Sequence, residues 1–316
     1  MVVANLKNKW PPVSVIVVNY NGLAFLESCL ESLMAVDYPN FEILLVDNAS
    51  SDGSIEHVRK FAGSKRLTIL INDHNLGYAG ACNVGIEKAI GDYIALLNND
   101  TMVDRNWLKE TVELLEKEKT IGIVGCKYLD YHMSDVIDSV GGKMFVNALG
   151  VMVGRGQKDA GQYQTVRDDF DYVAGVGVVV RAEVLRTLNL LDEEYFMFYE
   201  DTDLCFKIRK IEYRVVYFPK AKIWHRRSAT FRLLAGHGDY KFYLLNRSRI
   251  RFMLLHYSVL KVLRALVFDF LWFLLLDKNR RMLLLATYGW NSRSLRATIR
   301  KRIKNNAWLR IYQRPR

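Results

Sequence analysis

Apolar residues in the first hundred positions come in short unbroken runs, each halted by a polar cluster. Val13–Val18 (VSVIVV) ends in Asn19-Tyr20-Asn21-Gly22, and Phe41–Val46 (FEILLV) ends in Asp47-Asn48-Ala49-Ser50. Tyr93–Leu97 ends in Asn98-Asn99-Asp100. Runs of branched residues that do not alternate with polar ones predict strands covered on both faces, as in a parallel sheet. Leu67–Ile71 predicts another strand. Between the runs the apolar spacing changes to three and four, as at Leu23, Leu26, Leu30 and Leu33 before Tyr38-Pro39. Ile55, Val58 and Phe61 behind a Ser or Asp cap, and the stretch Ala79–Ile90, predict two more helices. Strand–helix alternation at roughly 30 residues predicts βαβ units and an α/β fold. The polar clusters then collect at the carboxyl ends of the strands, where open sheets bind ligands.

The pattern loosens further on. A helix over Trp107–Lys117 and a strand over Ile121–Cys126 are predicted, while residues 130–170 are Gly-rich and polar and carry no predicted element. Asp171–Arg181 predicts a strand entered through Gly175 and Gly177, and Tyr213–Phe218 another, stopped by Pro219.

Charge divides the 316 residues sharply. From Asn246 onward 17 Lys and Arg face only Asp269 and Asp277, a local net of +15 that leaves −4 for the first 245 residues. That split predicts a mildly acidic body with a cationic docking segment. Cys29, Cys82, Cys126 and Cys205 are far apart and form no CxxC, so buried reduced thiols and a cytoplasmic location are expected. MVVANLKNKWPP at the start has no long apolar core, so no secretory signal is expected.

Several stretches carry candidate chemistry. In FMFYEDTDLCFKIRK, Phe196–Lys210, aromatics run into Glu200, Asp201 and Asp203 at the start of a helical pattern. There the helix dipole favours ionised acids, and such a carboxylate serves either as a general base or as a plain N-cap. His225, next to Trp224 and beyond a strand end, is either a packed histidine or part of a shared site with Asp100. Arg226 and Arg227 are solvated charges or phosphate partners. Asp47 forms a turn or accepts from a base or ribose. The glycines in NLGYAGACN (Asn75–Asn83) allow a backbone to approach a ligand.

Taken in order and spacing, VSVIVVNYN, VDNASSDGS, NLGYAGACNVGI, LLNNDT, FYEDTDLC and WHRRS resemble the family 2 inverting glycosyltransferases of the GT-A fold, with a rhamnosyltransferase-like flavour. The likeness covers about residues 13–230. It implies a GT-A fold in which residues 13–125 form the nucleotide-sugar half and 126–245 the acceptor half, after an extension over 1–12 and before a basic helical tail over 246–316. It implies that Asn19, Tyr20, Asn21 and Asp47 hold the nucleoside, and that Gly77, Tyr78 and Asn83 line its pocket. Asn98-Asn99-Asp100 occupies the place of the metal-binding DxD motif, with Asp100 as its last acid and His225 as the downstream ligand. Asp201 matches the catalytic base, and Gly175, Glu200 and Trp224 fall on the acceptor side. With asparagines in two DxD positions, one carboxylate, one imidazole and the donor diphosphate are expected to hold Mg²⁺ or Mn²⁺, both of which favour oxygen ligands.

The resemblance further implies transfer from a nucleoside-diphosphate sugar, UDP or dTDP first, to a glycan or lipid-linked hydroxyl. The QxxRW signature of the family's processive synthases is absent, which favours single addition. In the tail, Ala265–Leu276 (ALVFDFLWFLLL) is apolar apart from Asp269, and at about 18 Å of helix falls short of the roughly 30 Å needed to span a bilayer. With its cationic flanks it is expected to lie on an anionic membrane surface at the cytoplasmic face, ahead of a core or oligomer-forming hairpin and of true spanning. A nucleotidylyltransferase and a nucleic-acid-binding protein are the competing readings. The first lacks a Gly-rich basic loop after its first strand, and the second lacks any zinc, RNP or helix-turn-helix signature.

Overall fold

Parallel pairing of four early strands builds the ligand edge. The computed structural model describes residues 10–61, 63–227 and 238–312. In it β1 (Val13–Asn19), β2 (Phe41–Asp47), β3 (Leu67–Ile71) and β4 (Tyr93–Asn98) stand parallel in the order β3-β2-β1-β4. The register pairs Asn19 with Asp47 and Val18 with Asn98, so the polar tips share one edge. Connecting them are α1 (Leu26–Met34), α2 (Ser54–Val58) and α3 (Gly77–Lys88). α2 starts on Gly53 in the left-handed region, not on a Ser or Asp cap; Asp52 instead accepts from the Ser54 N–H.

The later elements extend the same sheet: β5 (Thr101–Val103), α4 (Trp107–Lys117), β6 (Ile121–Asp130), β7 (Ile137–Ser139), β8 (Gly142–Met144), β9 (Gly150–Met152), β10 (Gly177–Arg181), α5 (Ala182–Thr187), α6 (Glu200–Lys210) and β11 (Arg214–His225). β10 lies antiparallel between β4 and β6, β11 runs parallel to β6, and β5 closes the edge antiparallel to β11. The boundary drawn at residue 125 falls inside β6, within one continuous sheet. Alternation along β1 sends Val13, Val15 and Val17 to a core under α1 and α4, and Ile16 and Val18 to a second under α3, α5 and α6. The chain thus forms three layers, with helices on both faces of the sheet.

Three expectations fail here for local reasons. Pro219 does not stop its strand: the register shifts between Phe218 and Lys222, and this bulge removes the need for a ladder N–H at the proline. The strand expected over Asp171–Arg181 begins only at Gly177. The stretch 130–170, left without elements, holds β7 and a β8–β9 hairpin, whose three-residue strands are too short to print a period.

The tail is helical, as α7 (Gly238–His256), α8 (Val259–Leu275) and α9 (Lys278–Tyr312). Its expected start at 246 cuts α7 in two, and α7 is packed into the body. Ser248 Oγ donates to the carbonyls of Tyr195 (3.2 Å) and Met197 (3.1 Å). Arg251 pairs with Asp192 at 2.8 Å, as does Lys301 of α9 at 2.6 Å. His256 Nε2 lies 2.6 Å from Asp203. Part of the tail's charge is therefore internal. No described helix is long and apolar enough to cross a membrane.

Candidate active site

At the donor edge the asparagines are builders. Asn19 is fully buried, and its Nδ2 lies within 3.0 Å of Asp47 Oδ1, Ser50 Oγ and Ser54 Oγ, while its Oδ1 accepts from Asn99 Nδ2 at 2.8 Å. Both side-chain polar atoms of Asn19 are thus engaged by protein, and Asn99 Nδ2 with them, so these amides position their neighbours. A Cβ on Gly22 would sit 2.3 Å from Asn19 Oδ1 and 2.4 Å from Asn99 Nδ2, so only glycine admits this bond. Asp47 also accepts from Ser50 N (2.9 Å) and Ser50 Oγ (2.6 Å) at the end of β2, keeping lone pairs for a further donor. Asn21 has φ +50° and accepts from Ser51 N, which folds the Tyr20-Asn21 tip against the same loop.

The α3 residues tie that helix to the segments around α6. Asn83 bonds Leu191 O, Leu191 N and Glu193, tying α3 to the segment before α6. Gly77 (φ +74°) lets Phe196 O come close, where a Cβ would lie 2.4 Å away. Tyr78 donates to Gly175 O at 3.2 Å. All three thereby brace the segments around the start of α6. Asn48, which no pattern singled out, holds this loop through Gly77 O, Asn72, Asn75 and Leu76 N.

Pairing of β5 with β11 sets Thr101 opposite His225 and so brings Asp100 to the histidine. Asp100 Oδ1 lies 3.4 Å from His225 Nε2, and Asp138 Oδ2 holds Nδ1 at 2.8 Å. Burial opposes charge on the imidazole, yet the Asp100 and Asp138 carboxylates outweigh it and lift its pKa to about 9. A carboxylate on the far nitrogen is how metal-binding histidines are oriented. Asp138 was missed because it sits in the patternless stretch 130–170, far from His225 in sequence. Among the described residues no group of three or more His, Cys, Asp or Glu could hold an ion. Asp100 and His225 fit a divalent cation whose other ligands are phosphate and water oxygens. Asn98 beside them is half-buried, and its O accepts from Thr101 Oγ1. Arg227 pairs with Asp130 and Asp138, and the Arg226 guanidinium stacks 3.8 Å from the centre of the Tyr131 ring while its Nη2 donates to Ser28 Oγ. Trp224, expected on the acceptor side, is half-buried against the Phe170–Tyr217 cluster. Ser228 of the WHRRS motif lies outside the described residues.

The acids of α6 separate into roles. Phe196, Phe198 and Tyr199 all have positive φ, a strained entry of the kind concentrated at functional sites. Asp201 Oδ2 accepts from Gly175 N at 2.8 Å and Oδ1 from Thr202 N at 2.6 Å; it lies inside the helix and is no N-cap. A Cβ at Gly175 would meet Asp201 Cβ at 3.0 Å. Burial raises the Asp201 pKa against those hydrogen bonds, and burial followed by Asp201's charge pushes Glu200 up to about 8. Among the described residues Glu200 Oε2 has no hydrogen-bond partner. Tyr78, Gly175, Glu200 and Asp201 enclose a cavity of only about 10 Å³. Asp203 faces away to Lys207 (2.5 Å) and His256 and stays ionised, a structural anchor for α7.

In fold the chain matches GalNAc-T7 with UDP, GalNAc and Mn²⁺ (TM-score 0.62, 16% identity, 78% of this chain and 48% of that one). It also matches the mannosyltransferase PcManGT from Pyrobaculum calidifontis in complex with GDP-Man and Mn²⁺ (TM-score 0.55, 20% identity, 96% and 81%). These are GT-A folds, as expected. In sequence it is 24% identical over 212 residues to the poly-beta-1,6-N-acetyl-D-glucosamine synthase of Staphylococcus epidermidis, covering 67% of this chain and 49% of that protein. It is 29% identical over 241 residues to an uncharacterized protein of Sinorhizobium fredii, covering 72% and 25%. The chain thus spans a quarter to a half of the length of these two relatives. The model for Glycosyl transferase family 2 matches residues 14–154, and that for Glycosyl transferase family group 2 matches 93–299, well over half of the chain. The nucleotidylyltransferase reading gives way: the chain belongs to glycosyltransferase family 2.

Proposed function

We propose that the chain moves one sugar from a nucleoside-diphosphate donor to a hydroxyl acceptor with inversion at the anomeric carbon. One observation carries the reading. The segment 175–177 holds Asp201 through the Gly175 N–H on one side and, through Val176 O, accepts from Asn98 N two residues before Asp100 on the other. A proton acceptor and an anion-neutralising pair are thereby fixed to the same few backbone atoms.

Asp201 takes the acceptor's proton as that oxygen bonds to the anomeric carbon, and the bond from this carbon to the diphosphate breaks on the opposite face. Its raised pKa makes it a better proton acceptor than a solvated carboxylate. Asp47 receives the base of the donor, UDP or dTDP first and a rhamnosyl donor first among sugars. Asp100 and His225 would hold Mg²⁺ or Mn²⁺, which when bound supplies charge neutralisation for the leaving diphosphate. The acceptor is a glycan or a lipid-linked hydroxyl. The tail associates with an anionic membrane surface on the cytoplasmic side, supported by its cationic, apolar α8.

Asp201→Asn tests the base. Turnover should fall about 10²–10⁴-fold with nucleotide affinity kept, as removal of a general base predicts. Wild-type kcat in this variant would reduce Asp201 to a structural residue and end the mechanism.

A further inference from the structure

The outer face of α8 is bare. Leu263, Val267, Phe270 and Leu274 recur at four, three and four residues and are each more than half exposed, whereas Ala265 and Asp269 on the other face are buried. The turn of the β8–β9 hairpin is bare as well: Phe145 and Val146 are each about half exposed or more. These two surfaces are tied together. Asn147 O accepts from Arg249 Nη1 at 2.6 Å, Asn147 Nδ2 donates to Asp269 at 3.4 Å, and Tyr257 Oη donates to Phe145 O at 3.3 Å. The same turn reaches the catalytic helix, because Tyr199 Oη donates to Ala148 O at 2.6 Å and Tyr199 immediately precedes Glu200 and Asp201.

We infer that the β8–β9 turn and the outer face of α8 form one two-part surface that enters the interface of an anionic bilayer, with the turn as the contact nearest the catalytic acids. This rests on the membrane association proposed above and names its contact residues. Charge complementarity selects the occupant. Lys261, Arg264, Lys278 and Arg280 flank the apolar face and are exposed. Of the two acids in this stretch, Asp269 is buried on Arg249 and Asp277 sits at the start of α9 beside Arg280. Aromatic and leucine side chains between cations suit the headgroup–acyl boundary, and no described helix could go on to span.

The test uses the full chain and flotation with vesicles of phosphatidylcholine, with and without phosphatidylglycerol. Wild type should float with the anionic vesicles, less at high salt but still measurably, since the apolar contact is unscreened. Leu263→Ser/Val267→Ser/Phe270→Ser should lower the partition coefficient at least tenfold. Phe145→Ser/Val146→Ser should do so severalfold, with melting temperature and nucleoside-diphosphate affinity unchanged in both. A turn variant that floats like wild type, beside an α8 variant that does not, overturns the two-part surface and leaves the membrane reading standing. Failure of wild type to float overturns both. If wild type elutes as a dimer, the serine variants as monomers and all float alike, the face joins two copies of the chain and the inference is wrong. Nucleotide affinity, read separately, judges the glycosyltransfer reading alone.

Discussion

Asp269 is the one acid in an apolar helix, and hydropathy alone says that removing it should be harmless. The structure reverses that sign. Asp269 is buried and meets Arg249, itself without exposed surface, through two contacts of 3.0 and 2.6 Å. It also accepts from Tyr288 and Asn147. Asp269→Ala leaves a guanidinium in the interior with only Asn246 Oδ1 and Asn147 O as partners. Breaking a buried pair from one side costs about 3–5 kcal/mol, because the remaining charge is uncompensated. At roughly 2–4 °C per kcal/mol for a chain of 150–250 residues, and somewhat less for a longer one, the melting temperature should drop by about 5–15 °C. Replacing both partners by apolar residues of similar volume, Arg249→Met with Asp269→Leu, should recover most of that loss. Urea titration and thermal melting of the single and double variants decide the matter. A loss under about 1 kcal/mol for Asp269→Ala, the range of an exposed ion pair, would mean that water reaches the pair and that the tail is not held as described.

Asp100→Ala should weaken Mn²⁺-dependent binding of a nucleoside diphosphate by tenfold or more while the nucleoside alone binds as before; calorimetry in Mn²⁺ and in chelator checks it, and metal-independent binding in wild type would refute the role. Glu200, raised to about 8 by burial and by Asp201, favours the folded state while protonated, so its contribution is full below about pH 4.5 and is lost as pH rises through 8. Glu200→Gln should therefore gain stability relative to wild type as the pH rises from 5 to 8.5, and parallel melting curves of the two proteins across that range would contradict it.

What could be read from the sequence follows the range of the interactions. β1, β2, β3 and β4 were legible because a parallel sheet buried on both faces needs continuous apolar runs, and their polar tips had to gather on one edge. Asp100 and His225 were legible as members of one site and Asp201 as a separate acid, but the backbone pairing that joins the first two was not. The pairing of Thr101 with His225 rests on β5, three residues long, and on a bulge that carries β11 past Pro219. Asn19, Asn99 and Asn83 were legible only as polar residues near a site; whether an amide faces the ligand or the loop behind it depends on neighbours some 30 to 110 positions away.

Charge counting met the same limit in the tail. The split between a body of −4 and a segment of +15 treats each cation as free to meet a membrane. Arg251 and Lys301 instead neutralise Asp192, a body residue held in its charged form by that contact, and His256 caps Asp203 on the catalytic helix. Arg249 is spent on Asp269, while Arg247 donates to the carbonyls of Glu194 and Tyr195. The tail is therefore both the basic end of the molecule and the source of counter-charges for Asp192, in the segment that leads into α6. Cutting the chain near 246 would leave the buried Asp192 without Arg251 and Lys301 and would take His256 from Asp203, which keeps Lys207. Deletion therefore removes the contacts to Asp192 and Asp203 together with α8, whereas substitutions on the outer face of α8 or in the β8–β9 turn leave those contacts in place and test the proposed membrane contact by itself.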